Sequence, residues 1–260
     1  MIISVLGSGS SGNCTLVATK ETYILIDLGF GPKSLVRRLK QVGLDSQKID
    51  AVFLTHGHAD HCRGISSRQT PELVPVYMNR GTRSEGVGLD NVCEWRKLDC
   101  HTPVLIGDIK VEAFPVSHDA SDPVGFRISG DQKTGALVTD LGEITPQVKT
   151  RLEGCDWLVV ESNHDESLLK IGPYPWHIKQ RVLSPLGHLS NRMLAKFIRD
   201  DFDGRAEHIF LAHLSRQNNN PQIALRSARR ALQDRSRKDL FENCQVHLTF
   251  QAQPSNVVNL

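Results

Sequence analysis

The chain has 260 residues, enough to bury a sizeable core as one large domain or two small ones. Its 31 Lys and Arg nearly balance 29 Asp and Glu, a formal net charge of +2, so no global field advertises a polyanionic partner, although a local basic groove is still allowed. The 6 cysteines form no CxxC pair and no apolar run approaches membrane-spanning length, which excludes a disulfide framework and a helical membrane protein.

Met1-Ile2-Ile3-Ser4-Val5-Leu6 enters strand-like sequence at once, without the basic start and longer apolar stretch of a signal peptide. With reduced thiols, this makes the cytoplasm the expected compartment. Short apolar runs predict strands over residues 2–6, 14–18, 23–27, 51–54, 74–78, 109–114, 124–128, 136–139, 157–161 and 209–211, with 246–250 a further candidate. Helical periodicity is expected over 31–42, 191–200 and 221–233. No Pro/Gly/Ser linker or low-complexity tract divides the chain. The layout predicts a single domain, residues 1–260, of sheets packed on each other with helices outside.

The segment Gly7-Ser8-Gly9-Ser10-Ser11-Gly12 matches GxGxxG after a strand. A dinucleotide fold would continue into a helix; Cys14-Thr15-Leu16-Val17-Ala18 instead reads as a second strand. The expected structure is a tight hairpin whose small residues let the backbone lie close beside a site.

The chemistry is concentrated in Thr55-His56-Gly57-His58-Ala59-Asp60-His61, directly after the apolar run Ala51-Val52-Phe53-Leu54. Imidazole and carboxylate are ligands for borderline divalent metals such as zinc, iron and manganese. In extended chain His56 and His58 would share a face, while Asp60 and His61 can turn back toward a second point. Four ligands so close together suit two neighbouring ions better than one. His118, Asp140 and His213 each follow another apolar run. The expected ligand sets are His56, His58 and His118 for one ion and Asp60, His61 and His213 for the other. Asp140 is suited to bridge, since a carboxylate has two oxygens to share.

On these residues, together with Asp27 in Leu25-Ile26-Asp27-Leu28-Gly29, the chain resembles the metallo-β-lactamase superfamily. The resemblance implies an α+β fold, the four-layer αββα sandwich, with two divalent ions at one edge. It also implies that Asp27 is not a ligand but supports the His loop by hydrogen bonding. Di-iron redox members carry Glu at the second His position, so His58 argues against them. Zinc β-lactamases commonly lack a His after the Asp, so His61 argues for hydrolases of the glyoxalase II, tRNase Z and nuclease type.

A closer match comes from the Leu6 to Asn13 segment, Gly172-Pro173-Tyr174-Pro175-Trp176-His177-Ile178-Lys179-Gln180-Arg181, Gly187-His188-Leu189-Ser190-Asn191 and Glu161-Ser162-Asn163-His164-Asp165. These resemble the WalJ (YycJ)-like branch, which implies 5′→3′ exonuclease action on double-stranded DNA, with nucleic acid as the partner. A metal-bridging hydroxide is the expected nucleophile. The donor set suits zinc, manganese or iron alike. Asp60 and His188 are the candidate catalytic residues, His188 by contacting phosphate or donating the leaving-group proton. Ser190 and Asn191, read as a helix N-cap, and Arg181 are candidate substrate contacts. His164 is expected beside the metal site. The run Arg226, Arg229, Arg230, Arg235, Arg237 and Lys238 reads as a solvated helix face and its end. A small-molecule thioester or lactone hydrolase of the glyoxalase II type is the alternative, and a non-enzymatic module is a second rival.

Overall fold

The computed structural model describes residues 1–44, 48–65, 74–100, 102–234 and 244–260. They divide into two compact units, one of Met1–Pro115, Ala120–Lys133 and Phe250–Leu260, the other of Val116–Asp119 and Thr134–Thr249. Arg235, Arg237 and Lys238 lie outside the described residues.

In the first unit, β1 (Ile2–Gly7) and β2 (Cys14–Ala18) form an antiparallel hairpin. Its turn is possible because Gly9 and Gly12 take φ of 124° and 147°, a region that side chains disfavour. The Asn13 amide oxygen accepts from the Gly9 N–H at 2.7 Å and locks the turn. The expected hairpin is therefore present where the GxGxxG pattern lies. Next come β3 (Tyr23–Ile26), α1 (Pro32–Gln41), β4 (Ala51–Phe53), α2 (Ala59–Cys62), β5 (Val76–Met78), α3 (Arg80–Glu85) and β6 (Trp95–Lys97). β3 is antiparallel to β2, whereas β4, β5 and β6 continue the sheet in parallel. Leu35 and Leu39 of α1 join Leu6, Leu16, Leu25, Val52 and Leu54 in one buried cluster. Each such side chain contributes ~1.5–3 kcal/mol by leaving water. β7 (Val104–Ile106), β8 (Ile109–Pro115) and β9 (Val124–Gly130) make an antiparallel meander.

The second unit alternates strand and helix: β10 (Lys133–Val138), α4 (Pro146–Leu152), β11 (Trp157–Glu161), α5 (Glu166–Ile171), α6 (Trp176–Val182), α7 (Asn191–Asp200), β12 (His208–Ala212), α8 (Pro221–Gln233) and β13 (Gln245–Leu248). β10, β11, β12 and β13 pair in that order, all parallel. β11, apolar until its final Glu, is buried at every position, the pattern of a strand covered on both faces. Four of these five helices start where the sequence supplies a cap: Thr145, Asp165, Ser190 and Asn220 each accept a backbone N–H of the first turn, while α6 follows Pro175 without one. β14 (Val258–Asn259) returns to the first unit as an antiparallel neighbour of β1. No helix among the described residues is long and apolar enough to cross a membrane.

Candidate metal centre

In the first unit the His-rich segment begins where β4 ends. His56 and His61 are buried, and His58 is half-buried. Ring centroids of His56 and His61 lie 4.1 Å apart and those of His56 and His58 4.5 Å apart, while Asp60 Oδ2 is 3.6 Å from His61 Nε2. The segment is held from beneath by Asp27, which follows β3. Its carboxylate accepts from the Thr55 N–H at 2.8 Å, from the Thr55 hydroxyl at 2.9 and 3.0 Å and from His61 Nδ1 at 2.8 Å. Engaging Nδ1 fixes the tautomer and turns Nε2 outward, the service a carboxylate gives to a ligating imidazole. The Thr55 hydroxyl also lies 3.0 Å from His56 Nδ1, so one Asp–Thr unit orients both buried rings.

Asn13 was not singled out in the sequence, yet its amide nitrogen lies 3.2 Å from Asp60 Oδ2 and 2.9 Å from His61 Nε2. The only signal was its place at the end of the small-residue turn. Gly29 explains how the backbones approach: a Cβ there would lie 1.7 Å from the Asp60 carbonyl oxygen.

In the second unit Asp140 follows β10, Glu161 ends β11 and His213 follows β12, all at carboxyl ends of parallel strands, where open α/β sheets bind ligands. Asp140, Glu161, His188 and His213 each offer one ligand atom, and these atoms all lie within 4.8 Å of one another. Asp140 Oδ1 is 3.4 Å from His213 Nδ1 and 3.5 Å from His188 Nδ1. His118 lies beside this group: its Nε2 is 3.9 Å from Asp140 Oδ1, and its Nδ1 lies 3.1 Å from the Gly187 carbonyl. Asp140 and His213 take left-handed φ of 55° and 54°, as Asp27 does at 61° in the first unit. Non-glycine residues adopt this conformation at a cost, and it clusters at functional positions.

Glu161 is the main residue that sequence reasoning left without a role. Its fully buried Oε1 accepts from His188 Nδ1 at 2.8 Å and lies 3.0 Å from His213 Nδ1, while Oε2 accepts from the Leu141 N–H at 2.9 Å. Burial works to raise its carboxyl, but the His188 charge and the hydrogen bonds from His188 and His213 outweigh it and hold Glu161 below the usual range. For His188, burial works to lower the imidazole; the Glu161 charge and hydrogen bond, with Asp140, prevail and hold it above its ordinary value. A charged Glu161 and a readily protonated His188 are two aspects of one pair. The signal available in sequence was the same strand-end position that exposed Asp140 and His213.

The three expected substrate contacts each have partners within the protein. The Ser190 hydroxyl caps α7 by accepting from the Met193 N–H at 3.1 Å and donates to Glu166 at 3.0 Å. Asn191 is buried, its oxygen accepting from the Ser162 hydroxyl at 2.7 Å and its amide donating to Asn219 at 2.8 Å. Their polar atoms thus hold the His188 turn in place rather than face outward. Arg181 lies on the open surface of α6, paired with Asp119. His164 is buried, and among the described residues neither ring nitrogen has a hydrogen-bond partner. Burial pushes its imidazole down to about 4. It acts through its backbone, whose carbonyl accepts from the Asn191 N–H at 2.9 Å.

Imidazole nitrogens and carboxylate oxygens gathered within 4.8 Å form a donor set that fits a divalent ion, and the four-residue group of the second unit meets that test alone. In the first unit the buried His56–His61 pair, with the Asp27-oriented ring, is of the same chemical kind.

Comparison with known proteins gives the same class. The fold is similar to that of the metallo-β-lactamase fold protein YhfI from Bacillus subtilis, with a TM-score of 0.71 over 99% of each chain at 18% identity. The family model for the beta-lactamase superfamily domain matches residues 22–200. The chain belongs to the metallo-β-lactamase superfamily, whose α+β sandwich it shares. It is 34% identical to exodeoxyribonuclease YycJ of Bacillus anthracis, covering 98% of this chain and 97% of that one. It is 34% identical to exodeoxyribonuclease WalJ of Streptococcus pneumoniae serotype 2, covering 85% and 84%. Within the superfamily it falls in the YycJ and WalJ branch.

Proposed function

We propose that this chain is a metal-dependent phosphodiesterase acting on nucleic acid, specifically a 5′→3′ exonuclease on DNA, built as one domain over residues 1–260. The single observation that carries the reading is the hydrogen-bonded Glu161–His188 pair among the second unit's candidate ligands. Similarity to two exodeoxyribonucleases over most of the chain supports the choice of substrate. The family model running from 22 to 200 through both units supports the single domain.

Two divalent ions would be held by His56, His58 and His118 and by Asp60, His61 and His213, with Asp140 as the seventh ligand. The assignment follows the ligand types and their order along the chain. Zinc, manganese and iron all suit such donors. When bound, the ions supply an activated water and neutralise the phosphate charge.

The protein's own residues do the rest. Asp27 fixes the His61 ring through Nδ1. Asp60 accepts a proton from the attacking water. Glu161 engages His188 Nδ1, which leaves Nε2 to deliver a proton to the departing alkoxide, and the Glu161 charge and hydrogen bond raise the imidazole and so favour its protonated form. Arg181, exchanging its Asp119 partner, supplies a guanidinium for a backbone phosphate. The free thiols of all 6 cysteines support a reducing, cytoplasmic setting.

The test compares labelled duplex DNA, structured RNA, bis-p-nitrophenyl phosphate and a glutathione thioester, each with zinc or manganese. Stepwise release of nucleotides from 5′ ends of DNA is expected. Rapid thioester turnover without cleavage of either nucleic acid would replace the reading by that of a small-molecule hydrolase.

A further inference from the structure

The second unit carries an apolar surface that its own fold does not use. α6 buries none of its 7 residues. Its first residue, Trp176, is 67% exposed, and Ile171 before it and Leu186 after it are 82% and 53% exposed. By contrast Trp157 is fully buried. A large aromatic held in water is unusual enough to ask what covers it.

The charge around it selects the contact. From Ile171 to Asn191 the chain has no Asp or Glu, while His177, Lys179, Arg181 and His188 lie within that stretch. The Lys179 ammonium folds back to donate to the Lys170 carbonyl at 2.7 Å, and so concentrates positive charge at the start of the segment. Arg181 is paired with Asp119 and His188 with Glu161, whereas the Lys179 ammonium meets no carboxylate among its hydrogen bonds. An exposed indole three residues from that ammonium is complementary to a polyanion that also offers flat aromatic faces. Single-stranded nucleic acid has both.

The position relates the surface to the reaction. The C-terminal end of α6 is fastened to the His188 turn: the His188 N–H donates to the Val182 carbonyl at 3.0 Å. A Cβ at Gly187 would lie 2.2 Å from the Arg181 carbonyl oxygen, so no side chain fits between helix and turn. At 1.5 Å rise per residue, α6 places Trp176 roughly 9 Å along its axis from Val182. That is about three base-stacking steps of ~3.4 Å.

We propose that Trp176 stacks on a base of the nucleic acid's unpaired strand, a few nucleotides from the bond being cut, with Lys179 holding an adjacent phosphate. The inference rests on the nucleic-acid reading above and adds a strand-positioning site to it. Because every base has a π-face, this contact sets where the strand lies and does not select its sequence.

The test uses manganese-loaded protein and a fluorescein-labelled single-stranded phosphorothioate oligodeoxynucleotide. A second strand of equal length carries abasic sites in place of its bases. Wild type is expected to bind the base-bearing strand more tightly. W176A should weaken that binding about fivefold or more, as base–aromatic stacking predicts, and leave abasic binding unchanged. W176F should retain most of the preference. Equal weakening of both strands, or of neither, overturns the inference while wild-type cleavage of DNA still upholds the exonuclease reading. Wild type that neither binds nor cleaves DNA removes both. If W176A instead converts a sedimenting dimer to monomer with strand binding unaltered, the patch joins two copies and the inference fails.

Discussion

Glu161 and His188 are joined by a 2.8 Å hydrogen bond between a fully buried carboxylate and an imidazole that still reaches the surface. The pair works only if the carboxylate stays charged. Glu161→Gln keeps the shape and an oxygen for the Leu141 N–H but removes the charge that raises His188. We expect turnover on DNA to fall tenfold or more, with both metals retained by elemental analysis. Unchanged turnover would detach Glu161 from proton delivery.

His188→Ala removes the proposed proton donor and leaves the seven assigned ligands. General acid catalysis contributes about 10²–10⁴-fold, so a loss of that order in kcat is expected. Activated p-nitrophenyl esters, whose leaving group needs no proton, should lose less than DNA does. Equal losses on both substrates would assign His188 to phosphate binding instead.

Asp27 acts at one remove. Asp27→Ala frees His61 Nδ1 and the Thr55 donors together, and losing such a partner costs metal affinity about 10- to 100-fold. Metal titration with a competing chelator reads this directly. Undiminished affinity would make Asp27 a purely structural residue.

Chelation tests the metals as part of the folded state. A ligand at about 100 times its Kd stabilises by ~2.7 kcal/mol, so EDTA should lower the melting temperature by several degrees and abolish cleavage. Restoring zinc or manganese should recover both. A melting temperature indifferent to EDTA would contradict tight binding by the assigned residues.

A separate pair of histidines governs acid sensitivity. Burial, helped by His208 at 2.9 Å, pushes His247 down from 6.5 to about 4. Between those values the unfolded chain binds a proton that the folded protein refuses. The stability from this group is therefore complete above pH 6.5 and is lost as pH falls toward 4. His247→Gln should flatten the fall of melting temperature across that window, with His164 retaining part of it. An unchanged slope would mean that His247 opens to solvent.

The sequence revealed most clearly what is periodic or strand-terminal. β2, β11, α7 and α8 occupy the expected residues, since each combines a long apolar pattern with a clear boundary such as Ser190 or Asn220. β6, β7 and β14 were missed because strands of two or three residues are too short to show alternation. The helices α3 to α6 span only six or seven residues, less than a periodicity window. His56, His58, Asp60 and His61 stood out by density. His118, Asp140 and His213 stood out by following apolar runs. Glu161 offered the same strand-end signal, but as the last residue of the strand rather than one beyond it, it read as part of the apolar run. Ser190 was legible as a cap, but the buried amide network around Asn191 depends on Ser162 and Asn219, which arrive from far along the chain.

Asp27, Asp140 and His213 share the left-handed backbone noted above. Glycine would adopt that conformation with ease, so at Asp140 and His213, in protein stripped of metal, backbone strain favours the one substitution that deletes the functional side chain. Variants selected to survive heating without metal should therefore gather silent losses at these two sites, whereas Asp27 is retained by its bonds to Thr55 and His61, and such a screen must score cleavage alongside melting.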